Sequence, residues 1–103
     1  MINLEEKYLT EIKKILAKYL PENSKIYVFG SRITDKYKKY SDLDLAIDVN
    51  NKQIDSDIIL NLKLDFENSL IPIKVDIVDF NNITTEFRQI IQSNLVELDI
   101  AFI

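Results

Sequence analysis

The chain has 103 residues, of which 47% are hydrophobic and 29% are charged, and its formal net charge is −4. This length predicts a single domain, residues 1–103, with a real hydrophobic core. The sequence contains no cysteine and no histidine, which excludes disulfides, cysteine zinc sites, Ser–His and Cys–His catalysis and histidine metal ligands. Any chemistry must therefore use carboxylates, lysine, arginine, tyrosine, hydroxyls and a hard metal ion.

Charge and hydropathy also limit the partners. We expect no direct binding of nucleic acid, because that affinity depends largely on cationic contacts to phosphates and this small domain is acidic. No apolar run approaches the length of about 18 residues that a membrane span requires. The N-terminus, Met-Ile-Asn-Leu-Glu-Glu, does not resemble a signal peptide. We expect a cytoplasmic protein with no membrane contact.

The first half of the chain predicts a helix and two strands. Residues 3–20 form an amphipathic pattern that ends before Pro21, since the residue before proline avoids helical geometry. A strand over 25–30 follows, and the pattern permits a short helix over 31–34. The loop over 35–41 is rich in lysine and tyrosine, which suits either a phosphate or partner contact or a solvated connection. A second strand spans 43–49.

The second half predicts a helix, a strand, a helix and an alternating tail. A helix capped by Asp55 or Ser56 and ending near Ser69 is favoured over a strand by its length, although its apolar residues partly alternate. A third strand spans 73–80, and Thr84 or Thr85 caps a last helix. The residues expected to face the core are Ile58, Leu60, Leu62, Leu64 and Phe66 in the first of these helices and Phe87, Ile90, Ile91 and Leu95 in the second. The tail, 96–103, is predicted as a further strand or a docking segment.

Two carboxylates and one glycine stand out. Asp42 and Asp44 are two residues apart in a strand pattern, so their side chains leave the same face. Such neighbours repel each other, and a divalent cation held by their oxygens removes that repulsion. Gly30 is the only glycine, against a usual content of roughly 7%. We therefore expect either a close backbone approach or a positive φ at this residue.

A Gly-Ser turn beside metal-binding carboxylates indicates a site for a nucleoside triphosphate. The N–H groups and hydroxyl of Gly30-Ser31 suit phosphate oxygens, and a metal ion would neutralise the phosphate charge. The two parts meet if the first two strands are antiparallel neighbours joined by the ten residues 32–41.

This stretch resembles the nucleotidyltransferase signature of the DNA polymerase β superfamily: Gly-Ser, a spacer of ten residues, then Asp-x-Asp between apolar residues. Gly-Ser-Arg followed by Ser-Asp-Leu-Asp-Leu-Ala is similar to the minimal nucleotidyltransferases, the MNT proteins. The family has a third carboxylate on a later strand, and Lys74-Val75-Asp76-Ile77-Val78 supplies it here. The resemblance covers residues 23–80. It departs at Ile33-Thr34-Asp35, where MNT loops often carry a second Arg-Gly.

The resemblance implies an α/β nucleotidyltransferase fold, similar to the polymerase β palm, with a mixed sheet, helices mainly on one face and the carboxylates on the other. The implied reaction transfers AMP from ATP to a hydroxyl and releases pyrophosphate. The implied site comprises the catalytic and metal-binding carboxylates Asp42, Asp44 and Asp76, with one or two Mg²⁺ ions, and the phosphate-binding residues Gly30, Ser31 and Arg32.

Each site residue also has a purely structural interpretation. Asp42 and Asp44 would then be exposed carboxylates at a strand start, Asp76 would pair with Lys74 or another cation, and Arg32 would form a surface ion pair. Asp48 and Asp79 share the local pattern but lie past strand ends, and we expect them to be solvated.

MNT proteins are typically paired with a HEPN-domain partner, and the family includes antitoxins that adenylylate a tyrosine of that toxin. The resemblance therefore implies an antitoxin that modifies a HEPN ribonuclease and forms an assembly with it. One alternative is a non-catalytic antitoxin that neutralises the partner by occlusion. Another is a small-molecule nucleotidyltransferase, although such enzymes generally carry a larger helical region for the acceptor.

Overall fold

The structure is a computed structural model that describes residues 1–100. Its elements follow the predicted order: α1 (Glu6–Tyr19), β1 (Ser24–Phe29), a 3-10 turn (Ser31–Ile33), β2 (Leu43–Val49), α2 (Ser56–Glu67), β3 (Val75–Asp79), α3 (Thr85–Ser93) and β4 (Val96–Leu98). The tail thus begins as a strand, and residues 101–103 of that prediction lie outside the described residues. None of the helices formed by residues 1–100 is both long and apolar enough to cross a bilayer.

The four strands form a mixed sheet in the order β3-β2-β1-β4. β1 is antiparallel to both of its neighbours, and β2 is parallel to β3. The predicted antiparallel pairing of the first two strands is therefore confirmed, and it places Phe29 opposite Asp44.

The two faces of the sheet are covered unequally. α1 and α2 pack on the face that carries alternate apolar residues of the three longer strands: Ile26, Val28, Leu43, Leu45, Ile47, Val75 and Ile77. α3 packs over part of the other face through a smaller cluster around Ala46, Phe80 and Ile91. The carboxylates belong to this second face, so the prediction of helices mainly opposite them is confirmed.

Local chemistry explains where the helices end. α1 ends at Tyr19 because Leu20 precedes Pro21 and is extended. It begins at Glu6 rather than at residue 3, since Glu5 is not helical (ψ 141°). Asp55 and Thr84 cap α2 and α3 by accepting backbone N–H groups with their side chains, as predicted.

Three residues that were expected to face the core are exposed. In α2 the inward stripe is Leu62 and Phe66, and Leu60 and Leu64, two positions away, lie on the outer side. A helix cannot bury every second residue, so the prediction that Leu60 and Leu64 face the core was wrong. Ile90 of α3 is 65% exposed because the neighbouring Ile91 occupies the position that faces the sheet.

Candidate active site

Gly30 closes β1 with φ 80° and ψ −160°, a conformation that is essentially restricted to glycine. A Cβ atom at this position would also overlap Oδ2 of Asp44. The lone glycine therefore has both of the properties that the sequence predicted, a positive φ and a close approach. The 3-10 turn that starts at Ser31 follows directly.

The strand register brings two of the carboxylates side by side. Asp44 of β2 pairs with Phe29 of β1 on one side and with Asp76 of β3 on the other. These three residues form one row across the sheet, on the face opposite the α1 and α2 core. Asp42 directly precedes β2, and its negative charge raises the pKa of Asp44. The structure thus groups the three predicted carboxylates at one end of one face.

The pKa of Asp44 reflects this grouping. It is raised from the ordinary value of 3.8 to about 6, first by burial of the carboxyl group and then by the negative charges of Asp76 and Asp42, while Lys74 lowers it. Burial and like charges both disfavour the ionised form of Asp44. A cation placed between the carboxylates would replace their mutual repulsion by attraction and favour the ionised form.

Asp76 is paired with a lysine. Nζ of Lys74 lies 3.2 Å from Oδ1 of Asp76, so the contact expected from the structural interpretation is present. Within residues 1–100, no three acidic side chains are placed so that they could hold one metal ion together. The donors fit Mg²⁺ chemically, because hard cations take carboxylate oxygens. Lys74 contacts one of the two carboxylate oxygens of Asp76, so a metal ion bound by Asp76 would compete with the lysine for its negative charge.

Arg32 has a structural role that the sequence did not predict. Its side chain is buried, with 4% of the residue exposed, so a surface ion pair is wrong. The guanidinium donates to the backbone carbonyls of Asn3 (2.8 Å), Lys39 (2.9 Å) and Ser41 (3.1 Å). These contacts use three of its five N–H groups and fix the loop, and the phosphate contact that the resemblance implied stays a prediction.

Asn3 belongs to the same arrangement and was missed by the sequence analysis. Its N–H donates to the carbonyl of Arg32 at 2.7 Å, and its Nδ2 donates to the carbonyl of Thr34 at 2.8 Å. The N-terminal segment therefore holds the turn that follows Gly30. No local signal could have shown this, because Asn3 lies about thirty residues from its partners and only the fold brings them together.

The loop over 35–41 is exposed but is anchored at both ends. Oγ1 of Thr34 accepts the N–H of Lys36, and Oγ of Ser41 accepts the N–H of Lys38. Lys36, Lys38 and Lys39 extend into solvent, which leaves both interpretations of this basic loop open.

Asp48 and Asp79 are not the solvated residues that we expected. Asp48 is buried and accepts the N–H of Asn51 (2.9 Å) and Nδ2 of Asn81 (2.7 Å). Asp79 accepts the N–H groups of Ile54 (2.7 Å) and Asn81 (3.1 Å). Both aspartates organise the loops at the end of the sheet opposite Asp44, which the strand pattern did not reveal.

A strand ending in Gly-Ser beside carboxylates on two adjacent strands is the arrangement of a nucleotidyltransferase, and the comparisons agree. Residues 10–98 match the model of the family described as polymerase beta, nucleotidyltransferase, and the chain belongs to this family. It is therefore a nucleotidyltransferase. The fold and the class of enzyme predicted from the sequence are confirmed.

The chain is 36% identical over 91 residues to the probable protein adenylyltransferase MntA of Haemophilus influenzae, an alignment that covers 88% of this chain and 78% of the relative. It also resembles two solved structures, and each alignment covers 90% of this chain and 73% of the other. One is a toxin–antitoxin with AMP-PNP (TM-score 0.73, 25% identity). The other is a mutant of the toxin–antitoxin MntA–HpeT (TM-score 0.70, 22% identity), which supports the fold alone.

Proposed function

We propose that this nucleotidyltransferase moves AMP from ATP to a tyrosine hydroxyl of a HEPN-domain toxin and thereby acts as its antitoxin. The observation that supports this most is the row formed by Asp44 and Asp76, in which Asp44 lies against the Gly30 turn. The same proposal holds that residues 1–103 form one minimal nucleotidyltransferase domain and that the protein is cytoplasmic.

The proposed site assigns the metal to Asp42, Asp44 and Asp76, which would hold one or two Mg²⁺ ions. When bound, Mg²⁺ supplies neutralisation of the phosphate charge and alignment of the displacement. The N–H groups of Gly30 and Ser31 would donate to the β- and γ-phosphate oxygens. Arg32 belongs to this set as the resemblance implies, although three of its five N–H groups donate to backbone carbonyls.

The proposed reaction is an in-line displacement. The acceptor hydroxyl oxygen forms a bond to the α-phosphorus of ATP, the bond from that phosphorus to the bridging oxygen breaks, and pyrophosphate leaves. Asp76 accepts the proton of the hydroxyl. The rate enhancement then comes mainly from the positioning of the reactants and from positive charge that is in place before the reaction begins.

The choice of acceptor is supported by the relatives. One relative is named a protein adenylyltransferase, and a structure of similar fold is a toxin–antitoxin that contains an ATP analogue. A HEPN toxin as the partner, and a tyrosine as the modified residue, come from the resemblance to MNT antitoxins and are the finer part of the proposal.

The test is transfer of label from [α-³²P]ATP to the purified HEPN partner in the presence of Mg²⁺. We expect label on the partner, its loss when the modified tyrosine is changed to phenylalanine, and loss of ribonuclease activity in step with labelling. The double variant Asp42→Ala, Asp44→Ala is expected to abolish labelling.

The matched control is Glu97→Gln, an exposed carboxylate on the other edge strand that pairs with Tyr27 on the same sheet face. It is expected to label the partner like the wild type. An absence of label with intact Mg²⁺ binding would defeat the proposed transfer. Neutralisation that survives in the double variant would favour occlusion of the partner over catalysis.

A further inference from the structure

Lys74 is a cation inside the group of catalytic carboxylates. It directly precedes the edge strand β3 (Val75–Asp79) and lies two residues before Asp76. Its ammonium contacts Asp76 at 3.2 Å, and 71% of its side chain is exposed. Lys74 is therefore held by one carboxylate and is otherwise free to move.

All three carboxylates favour the charged form of the Lys74 ammonium group. The pKa of Lys74 is raised by its hydrogen bond with Asp76 and by the charge of Asp76, then by the charges of Asp42 and Asp44. In the opposite direction, Lys74 is the only group that lowers the pKa of Asp44. The four residues form one electrostatic unit with three negative charges and one positive charge.

Lys74 and a divalent cation would compete for the negative charge of the Asp76 carboxylate, of which Oδ1 contacts the lysine. Residues 1–100 hold no three acidic side chains arranged to share an ion, and Oδ1 of Asp76 faces the ammonium. A single positive charge on a flexible side chain neutralises a carboxylate less well than Mg²⁺ does, but it is always present.

We infer that Lys74 is a positioning residue whose ion pair with Asp76 opposes the binding of a metal ion by that carboxylate. The inference deepens the proposed function, since it rests on the same metal site. Lys74 would set how much Mg²⁺ the site requires, by keeping the third carboxylate engaged until the ion and its nucleotide arrive.

An ordinary surface ion pair is the main competing explanation. Exposed pairs of this kind contribute little to folding stability. Removing Lys74 is therefore not expected to disturb the fold, and the two explanations differ in metal affinity. If Asp76 lies outside the metal site, Lys74 acts on the metal ion only at a distance through solvent, and its loss is expected to change the metal affinity no more than the loss of Lys63 does.

The experiment measures Mn²⁺ binding by electron paramagnetic resonance of free Mn²⁺, without nucleotide or partner. We expect Lys74→Gln to bind Mn²⁺ about two- to fivefold more tightly than the wild type, the modest change typical of an exposed charge pair. Lys74→Arg keeps a cation beside Asp76 and is expected to restore weak binding. Lys63→Gln, an exposed lysine of α2 that lines the same groove beside β3, is the control and is expected to leave the affinity unchanged.

Unchanged or weaker Mn²⁺ binding in Lys74→Gln overturns the inference, as does an affinity for ATP that falls while metal affinity stays constant. The second result would make Lys74 a phosphate ligand. If no variant binds Mn²⁺ at millimolar concentration, the inference and the metal site fail together. If Lys74→Gln binds Mn²⁺ more tightly but the partner is never labelled, the inference stands and the proposed acceptor is wrong.

Discussion

The carboxylate of Asp44 lies against the backbone of Gly30, in the space that the Cβ of any other residue would occupy. This contact joins the two halves of the predicted signature, which are separated by the ten residues 32–41 in the chain and by one strand pairing in the fold. The end of β1 and the start of β2 therefore form one unit. A change on either side is expected to affect both the turn and the carboxylate.

Gly30→Ala is expected to destabilise the protein and to weaken ATP binding. The backbone conformation at this position costs a residue with a Cβ about 1–3 kcal/mol, and the overlap with Asp44 adds to that. Urea unfolding measures the first effect, and calorimetric titration of ATP with Mg²⁺ measures the second.

A double-mutant cycle separates the two causes. In an Asp44→Ala background the overlap is gone but the positive φ remains, so Gly30→Ala is expected to cost less there than in the wild type. Equal costs in both backgrounds would mean that the contact with Asp44 contributes nothing.

The pKa of Asp44 predicts a pH dependence of stability in metal-free protein. Between pH 3.8 and about 6 the folded protein binds a proton at Asp44 that the unfolded chain does not bind. The free energy of unfolding therefore falls as the pH rises through this window. Replacing Asp44 with Asn removes the buried charge, so Asp44→Asn is expected to melt at a higher temperature than the wild type at pH 7 to 8, with the difference vanishing near pH 4.

Thermal unfolding in EDTA across this pH range is the measurement, with Glu97→Gln as a control that keeps the wild-type profile. Adding Mg²⁺ at pH 7 is expected to raise the melting temperature of the wild type but not that of Asp44→Asn. A melting temperature of Asp44→Asn below that of the wild type at pH 7 in EDTA would show that the ionised carboxylate stabilises the fold.

The sequence predicted the parts of this protein that depend on local pattern. The alternation of Leu43, Asp44 and Leu45 sets which side chains face the core, and the same alternation places Asp76 on the carboxylate face. What it could not predict depends on distant partners. Arg32 meets the carbonyl of Asn3 only because the N-terminal segment folds across the turn, and Asp48 is buried only because Asn81 reaches it.

Arg32→Ala is expected to lower the free energy of unfolding by about 2–4 kcal/mol, because it leaves three backbone carbonyls without a charged donor. Lys restores a charge but not the planar group that reaches all three carbonyls, so Arg32→Lys is expected to recover only part of the loss. Urea unfolding is the measurement. Unchanged stability together with at least tenfold weaker ATP binding would instead support the phosphate contact.

Asp76→Asn separates binding from transfer. If Asp76 accepts the proton of the hydroxyl, its loss is expected to lower kcat for labelling of the partner by about 10²–10⁴-fold. The KM for ATP is expected to change much less, because in the proposed site Gly30 and Ser31 hold the phosphates and Asp42 and Asp44 remain as metal ligands. Single-turnover labelling over a range of ATP concentrations checks this. A rise in KM with an unchanged kcat would give Asp76 a role in substrate binding only.

The opposite end of the sheet is expected to contribute stability without affecting the site. Nδ2 of Asn81 donates to Asp48 at 2.7 Å, and its N–H donates to Asp79 at 3.1 Å. Asn81→Ala leaves the buried carboxylate of Asp48 with one donor fewer, so we expect a loss of about 1–2 kcal/mol in urea unfolding. Because Asp48 and Asp44 lie at opposite ends of β2, the affinity for ATP is expected to stay within twofold of the wild type. Asn82→Ala, the exposed neighbour, is the control for stability. A marked loss of ATP affinity in Asn81→Ala would show that the two ends of the strand are coupled.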